Sequence, residues 1–179
     1  QISIHRLYIT QEEFRKAGIK PTLAMYEGPF LSTRPGALTL EENADNWVRL
    51  DLLLYAHGVD RLLGGWGHEV SSYWGEQHYG GGIIDQVPLN TPKPAYAALA
   101  TMTHHVNRKN LDKWLPTGSL SVYALQFKHY RTGSLTHVFW TIRGTRPVTV
   151  AAPAGTVVTL YDQMDNATVL PVQNGAVTF

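Results

Sequence analysis

The chain has 179 residues, enough for one domain or for one domain with a small second one. Apolar residues make up 44% and charged residues 16%, which is typical of a globular protein and excludes a wholly disordered one. The formal net charge of +1 and the lack of a long apolar run predict neither a nucleic-acid nor a membrane partner. There is no cysteine, so disulfides and thiolate metal sites are excluded.

The first predicted helix follows a segment, residues 1–9, that is interpreted as a strand or loop. Thr10-Gln-Glu-Glu13 fits a capping box, in which a Thr and a Glu three residues later cap the helix start. A short helix is therefore predicted from Gln11 to Ala17. Gly18 is placed to end it.

A buried strand is predicted next, from Lys20 to Glu27. Leu23, Ala24 and Met25 are apolar, as in strands of parallel sheets that are covered on both faces. The strand ends on a carboxylate, Glu27, at the position where an α/β barrel places its catalytic groups. The alternative is that Glu27 is a strand-end charge that faces water.

A second capping box, Thr39-Leu-Glu-Glu42, begins the strongest predicted helix. This helix is predicted to reach about His57 and to stop at Gly58. Val59–Leu63 follows as a short strand, so the three elements form a β-α-β unit with parallel strands.

The segment 64–82 contains seven glycines, two Trp, two Tyr and two His, and no regular element is predicted in it. Long loops of this kind in compact domains usually have a function, and Trp66 and Trp74 offer flat faces to a ligand. The alternative is a structural loop that packs its aromatic side chains against the protein.

A third helix is predicted from Pro94 or Ala95 to about Val106. Its apolar face is predicted from helical spacing to contain Tyr96, Leu99, Met102, Thr103 and Val106. The adjacent His104 and His105 point to different faces of a helix, so no metal site is predicted.

After Lys109 the apolar spacing changes to a period of two, as in Leu120, Val122 and Ala124. Short strands separated by Gly-containing turns predict antiparallel sheets with one buried face. The predicted domains are therefore an α/β portion over residues 1–112 and a small β-sandwich over residues 113–179.

Taken in order, these motifs resemble the C-terminal part of a clan A glycoside hydrolase. The resemblance lies in Glu27-Gly-Pro at a strand end, a strand followed by Trp66, and the helix start Thr91-Pro-Lys-Pro-Ala-Tyr-Ala-Ala-Leu99 before a β-sandwich. It implies an α/β plus all-β fold: the last strands and helices of a TIM-type (α/β)8 barrel, followed by a small antiparallel β-sandwich. It covers nearly the whole chain.

The resemblance implies that Glu27 is the nucleophile on barrel strand seven and that Trp66 lies under the sugar at strand eight. Tyr26, His68 and Trp74 are further predicted substrate-binding residues, although no family motif assigns them. A retaining enzyme of this kind acts on carbohydrate with two carboxyl groups about 5–5.5 Å apart, and no cofactor or metal is expected.

The chain departs from the family pattern because the Asn-Glu pair that carries the acid/base residue does not occur in it. Two parallel strands also cannot close a barrel. The chain alone is therefore expected to be incomplete and inactive, with the missing N-terminal barrel segment supplied by the same protein or by a separate chain. The compartment is left open between secreted, periplasmic and other locations.

Two other interpretations of the sequence remain. One is a non-catalytic carbohydrate-binding module that uses the aromatic, Gly-rich segment 64–82. The other is a structural β-sandwich with an α/β appendage and no ligand.

Overall fold

The computed structural model describes residues 4–20, 22–26, 36–63, 66–69, 80–85 and 90–179. The chain divides into two compact units, Gln1–Lys93 and Pro94–Phe179. The helices of the described residues are α1 (Ile4–Lys16), α2 (Leu40–Ala56) and α3 (Pro94–Val106). The strands of unit 1 are β1 (Ala24–Tyr26), β2 (Arg61–Leu63), β3 (Trp66–His68), β4 (Gly82–Asp85) and β5 (Thr91–Pro92). Those of unit 2 are β6 (Lys109–Trp114), β7 (Val122–His129), β8 (Leu135–Thr141), β9 (Thr149–Ala151), β10 (Val158–Tyr161), β11 (Ala167–Leu170) and β12 (Ala176–Thr178).

Helix α1 begins earlier than the sequence analysis predicts. Residues 4–9 are helical, so their interpretation as a strand or loop is wrong, and Thr10 lies inside the helix instead of capping it. Ile4, Leu7 and Tyr8 have the i, i+3, i+4 spacing of a helical face, which explains why the helix extends through them. The predicted stop at Gly18 is confirmed, since this residue has φ +69° and its N–H bonds to the Arg15 carbonyl at 3.1 Å.

Helix α2 has the predicted capping box and the predicted end. The Thr39 hydroxyl accepts from the Glu42 N–H at 3.1 Å, and the Glu42 carboxylate accepts from the Thr39 N–H at 2.9 Å. The His57 N–H bonds to the Leu53 carbonyl at 3.0 Å, and Gly58 leaves the helix with φ +79°. The apolar side of the helix buries a cluster within unit 1: Ala44, Trp47, Leu52 and Leu54.

The predicted parallel pairing around α2 is confirmed. Strands β1 and β2 are parallel, with Ala24 opposite Arg61 and Tyr26 opposite Leu63. Just before the pair, the Asp60 carboxylate accepts from the Leu23 N–H at 2.9 Å. The two strands therefore end at the same edge, as their connection by a helix requires.

The aromatic, Gly-rich segment contains regular structure that the sequence analysis does not predict. Strand β3 lies inside it and pairs in parallel with β4, with Trp66 opposite Gly82 and His68 opposite Ile84. Strand β5 then pairs with β4 in the antiparallel sense. The high glycine content makes this three-stranded sheet hard to predict, because glycine has a low strand propensity. Glycine nevertheless occurs in strands where another backbone approaches closely.

Helix α3 opens unit 2 with Pro94 at its first position, as predicted. Its buried face agrees with the predicted one at Met102 and Val106 and differs from it elsewhere. The buried residues are Ala95, Ala98, Met102 and Val106, whereas Tyr96 is 46% exposed. The small side chains of Ala95 and Ala98 allow closer packing than the large side chain of Tyr96. The buried face of α3 is therefore rotated toward the alanines relative to the predicted face.

The strands of unit 2 form three sheets, with orders β6-β7-β8, β12-β9 and β10-β11, and every pair is antiparallel as predicted. Leu120, predicted to be part of the alternating face, precedes β7 and is 97% exposed. Strand β6 begins before the predicted domain boundary at 112/113, and the compact units divide before α3. Placing the boundary at 112/113 remains a prediction. The described chain is thus a mixed fold of helices with parallel strand pairs and small antiparallel sheets.

None of the described helices combines the length and the apolar character that crossing a membrane would require.

Asp51 is a partly buried carboxyl group on α2, directly before the buried residue Leu52 and one turn from Trp47 and Tyr55. Burial raises the pKa of Asp51 from 3.8 to about 7. Burial, and then the Asp51 charge, also raises the pKa of Tyr55. The apolar surroundings therefore favour the protonated form of Asp51.

The folded-state pKa of Asp51 exceeds its unfolded value of about 3.9. At pH values between the two, the folded state therefore binds more protons than the unfolded state. As a result, the free energy of unfolding falls as pH rises from about 4 to about 7. Asp51→Asn should remove this loss. We expect it to raise the free energy of unfolding by on the order of 2 kcal/mol at pH 8 and to change it little at pH 4. Urea unfolding at the two pH values measures the difference.

Asp45→Asn is the matched control on the same helix, since Asp45 is paired with Arg49 at 2.6 Å. It should destabilise by about 0.5 kcal/mol or less. An Asp51→Asn effect that is equal at both pH values would contradict the assignment.

Candidate functional site

The predicted site residues are only partly within the described structure. Glu27 and Trp74 lie outside the described residues, and their roles stay predictions. Tyr26 is the last residue of β1, Trp66 the first of β3 and His68 the last of β3. The side chain of His68 is exposed.

The parallel pair β1–β2 sets the positions that precede the predicted site. Tyr26 pairs with Leu63 at the carboxyl ends of the two strands. In sequence, Glu27 follows Tyr26 directly, and Trp66 follows Leu63 after two residues. Both predicted residues therefore come just after the same edge of a parallel pair, which is the edge where α/β proteins place their ligands.

The most prominent polar feature in the described part of unit 1 is a buried cluster around Glu69, directly after β3. One Glu69 oxygen, Oε1, accepts from the Gly80 N–H at 2.5 Å. The other, Oε2, accepts from Lys93 Nζ at 2.6 Å and from the Gly82 N–H at 3.2 Å. Glu69 is only 4% exposed and the Lys93 side chain 1%. We call these groups, with Asp85, the Glu69 cluster.

Lys93 also lies 3.4 Å from the Asp85 carboxylate, which is a quarter exposed. Backbone bonds complete the cluster: the Glu69 N–H donates to the Ile84 carbonyl at 2.7 Å, and the Lys93 N–H donates to the Ile83 carbonyl at 2.9 Å. The cluster therefore holds three segments together: residues 66–69, 80–85 and 90–93. Its formal charge is −1, from two carboxylates and one ammonium.

The donor set indicates what Glu69 does chemically. A lysine and two backbone N–H groups stabilise the carboxylate anion, as charge-assisted hydrogen bonds do. A group held in this way is suited to fixing the backbone. The Gly80 bond joins Glu69 to the residue that follows segment 70–79 in sequence.

No sequence motif assigns a role to Glu69 or to Lys93. One signal was available in the sequence: Lys93 stands between Pro92 and Pro94. The two prolines restrict the backbone at this position, as expected where one side chain must be placed accurately. Burial of both partners could not be read from the sequence.

Gly82 is required by the close approach of β4 to Glu69. A Cβ atom added at Gly82 would lie 2.6 Å from the Cα atom of Glu69 and in closer conflict with its backbone nitrogen. Backbone atoms cannot move away as a flexible side chain can. This glycine therefore allows the N–H···Oε2 bond of the Glu69 cluster to form.

Within the part of the chain that the structure describes, no group of three or more His, Cys, Asp or Glu side chains is arranged to hold a metal ion. The ring of His105 instead lies 2.7 Å, by its Nε2 atom, from Oδ1 of Asp165. This contact joins the end of α3 to the β10–β11 turn inside unit 2.

Gly82→Ala should destabilise the protein by about 2 kcal/mol or more, because the new methyl group overlaps backbone atoms of Glu69. Gly67→Ala is the matched control, since a Cβ at Gly67, in the paired strand, meets nothing within 4 Å. It should change stability little. Urea unfolding midpoints of the two variants test this difference, and equal midpoints would contradict the close approach.

Lys93→Met should destabilise by about 3–5 kcal/mol, because it leaves the buried Glu69 carboxylate without its cation. The double variant Glu69→Gln/Lys93→Met should lose less than the sum of the two single changes. Lys16→Met removes the exposed Lys16–Glu13 pair, 3.1 Å apart, and should cost about 0.5 kcal/mol or less. Chemical unfolding measures all four variants, and additive losses would show that Glu69 and Lys93 act independently.

A scan against protein-family models and a search of curated proteins find no match to this chain. The resemblance to clan A glycoside hydrolases therefore rests on the sequence motifs.

Proposed function

We propose that this chain is part of a retaining glycoside hydrolase and that Glu27 is its nucleophile. The observation that supports the proposal is the parallel pairing of β1 with β2 across α2. In sequence, Glu27 directly follows Tyr26, the last residue of β1 at the carboxyl edge of this parallel pair. Catalytic residues of α/β barrels lie at this edge.

In the proposed fold, β1 and β2 are strands seven and eight of an (α/β)8 barrel whose other strands lie outside these residues. The same outside segment, in the same protein or in a separate chain, supplies the acid/base carboxyl group. The substrate is a carbohydrate. Trp66 stacks under the sugar, and Tyr26, His68 and Trp74 complete the substrate site.

The reaction follows from the two carboxyl groups. The ionised Glu27 carboxylate attacks the anomeric carbon while the acid partner protonates the leaving oxygen, and the glycosidic bond breaks. The resulting glycosyl ester at Glu27 is then hydrolysed by water, which the same partner deprotonates. The acid/base partner gives one proton to the leaving oxygen and regains one from the attacking water, so the reaction needs no cofactor.

The Glu69 cluster has a supporting place in this proposal. It carries no step of the reaction, since its carboxylate is already committed to Lys93 and two N–H groups. It fixes the backbone that follows His68, next to the proposed Trp66 position. A rigid backbone is what a substrate-binding aromatic needs, because a small displacement of the sugar reduces the rate.

A second candidate function is a carbohydrate-binding module that uses segment 64–82 without catalysis. One observation favours it: a hydrogen bond joins Glu69 and Gly80, the described residues on either side of segment 70–79, whose sequence contains Tyr73, Trp74 and Tyr79. Aromatic side chains of this kind are suited to stacking against sugar rings.

In the full-length protein, Glu27→Gln should lower the turnover of an aryl glycoside by about a thousandfold or more, because the attacking carboxylate is lost. Glu41→Gln is the control, since Glu41 is an exposed carboxylate in the first turn of α2. It should leave turnover unchanged. Hydrolysis is measured over aryl glycosides of the gluco, xylo and galacto series.

Two further measurements separate loss of the nucleophile from loss of folding. An aryl 2-deoxy-2-fluoroglycoside should label the wild-type protein on the peptide that contains Glu27, as mass spectrometry reads out. Azide should restore turnover to Glu27→Gly and give a glycosyl azide of inverted configuration. Labelling of another carboxylate would refute the assignment, and glycan binding with no hydrolysis at all would favour the binding module.

A further inference from the structure

Unit 2 contains a cleft that the proposed hydrolase chemistry does not use. It lies among β7, β8 and the segment 146–151, which includes β9, and has a volume of about 670 Å³. This is within the range of about 300–1,000 Å³ that small-molecule sites occupy. Most of its lining is apolar, and its polar side chains are Thr117, Ser119, Gln126, His137, Arg146 and Thr149. We call it the β7–β9 cleft.

A hydrogen-bonded chain of three side chains fixes the polar part of the cleft. Gln126, only 7% exposed, donates from Nε2 to the Asp112 carboxylate at 2.5 Å. Its Oε1 atom lies 2.8 Å from His137 Nε2. Because Asp112 accepts only, the Gln126 amide orientation is determined, and the Nε2 atom of His137 must be the donor.

Asp112 reaches Gln126 because the β6–β7 pairing shifts register between Leu111 and Lys113. Such a bulge turns a side chain out of its regular direction. The lone pair of His137 Nδ1 is left without a partner among the described residues. The cleft thus offers a ligand one hydrogen-bond acceptor of fixed orientation, the Nδ1 atom of His137.

Arg146 provides the charge of the cleft. Within the described part of the chain, its guanidinium makes no hydrogen bond and no ion pair, although it lines the cleft. Lys113 is close enough to His137 to lower the pKa of His137, after the larger effect of burial. Arg146 is the charged side chain among the described residues that line the cleft, and Lys113 and Asp112 lie outside its lining, so the cleft favours an anion.

An unpaired guanidinium has the planar fork that matches a carboxylate. The wall beside it is apolar, with Phe139 from β8 and Val150 from β9. We propose that the β7–β9 cleft binds a small organic carboxylate, with the carboxylate on Arg146 and the ring or chain of the ligand against Phe139 and Val150. The ligand class is a ring-sized acid, either an aromatic acid or a sugar acid.

Isothermal titration of the full-length protein with sodium benzoate and with sodium glucuronate tests the proposal. At least one acid should bind saturably with a dissociation constant below about 10 mM. Its neutral counterpart, benzyl alcohol or glucose, should bind at least about tenfold more weakly. The acid that binds more tightly distinguishes an aromatic acid from a sugar acid.

Arg146→Gln should weaken binding of that acid by about tenfold or more, since a charge-assisted pair is lost. Arg131→Gln is the matched control, because Arg131 lies in the β7–β8 turn over the Tyr130 ring, 5.4 Å from its centroid. It should leave affinity unchanged. In nuclear magnetic resonance spectra, the acid should shift the amide signals of residues 148–151 and 124–126.

Three outcomes would overturn the proposal: no saturable binding of either acid, equal binding of acid and neutral counterpart, or binding that survives Arg146→Gln. Arg146 makes no hydrogen bond or ion pair among the described residues, so a lost affinity with an unchanged unfolding midpoint supports the assignment. The proposal does not depend on the activity proposed for Glu27, and hydrolysis of aryl glycosides should be unchanged in Arg146→Gln.

Discussion

A carboxylate that lies almost wholly out of water needs donors, and Glu69 finds them on three separate segments. Lys93 compensates its charge, and the N–H groups of Gly80 and Gly82 each donate to one of its two oxygens. The β3-β4-β5 sheet depends on this arrangement because its strands are only two to four residues long and have few ladder bonds of their own. A buried ion pair contributes little net free energy compared with an apolar pair of the same shape, but removing one partner is costly. The cluster therefore specifies one backbone arrangement more than it adds stability.

The sequence predicts the elements whose start and stop residues act locally. Helix α2 is the clearest case, since the Thr39–Glu42 capping box and Gly58 each need only neighbouring residues. The parallel pairing of β1 with β2 was also predictable, because a helix between two short strands leaves few connections. The start of α1 is less predictable, because the local Thr10–Glu13 pattern favours a later start than the helical spacing of Ile4, Leu7 and Tyr8. The face of α3 is predictable only in part, because side-chain size at the packing surface, as well as hydropathy, decides which residues are buried.

The candidate site was predictable in one respect and not in another. The parallel pairing of β1 with β2, which precede Glu27 and Trp66 in sequence, was predictable, whereas the roles of Glu27 and Trp66 stay predictions. The Glu69 cluster depends on contacts across 11 to 24 residues, and no period or short motif carries that information. The same is true of the β7–β9 cleft, where a register shift at Asp112 brings a carboxylate to Gln126. Sequence patterns report neighbours along the chain, while these sites are made by neighbours in space.

The two prolines beside Lys93 have a consequence for the unfolded chain. Pro92 and Pro94 fix their own φ angles, and Pro94 also keeps Lys93 out of helical conformations. In the folded protein Pro92 is in β5 and Pro94 begins α3, so these restrictions agree with the final backbone. In the unfolded chain, the range of backbone conformations open to Lys93, whose ammonium group pairs with Glu69, is therefore already restricted. Folding therefore loses less backbone entropy at Lys93 than it would at a residue without flanking prolines.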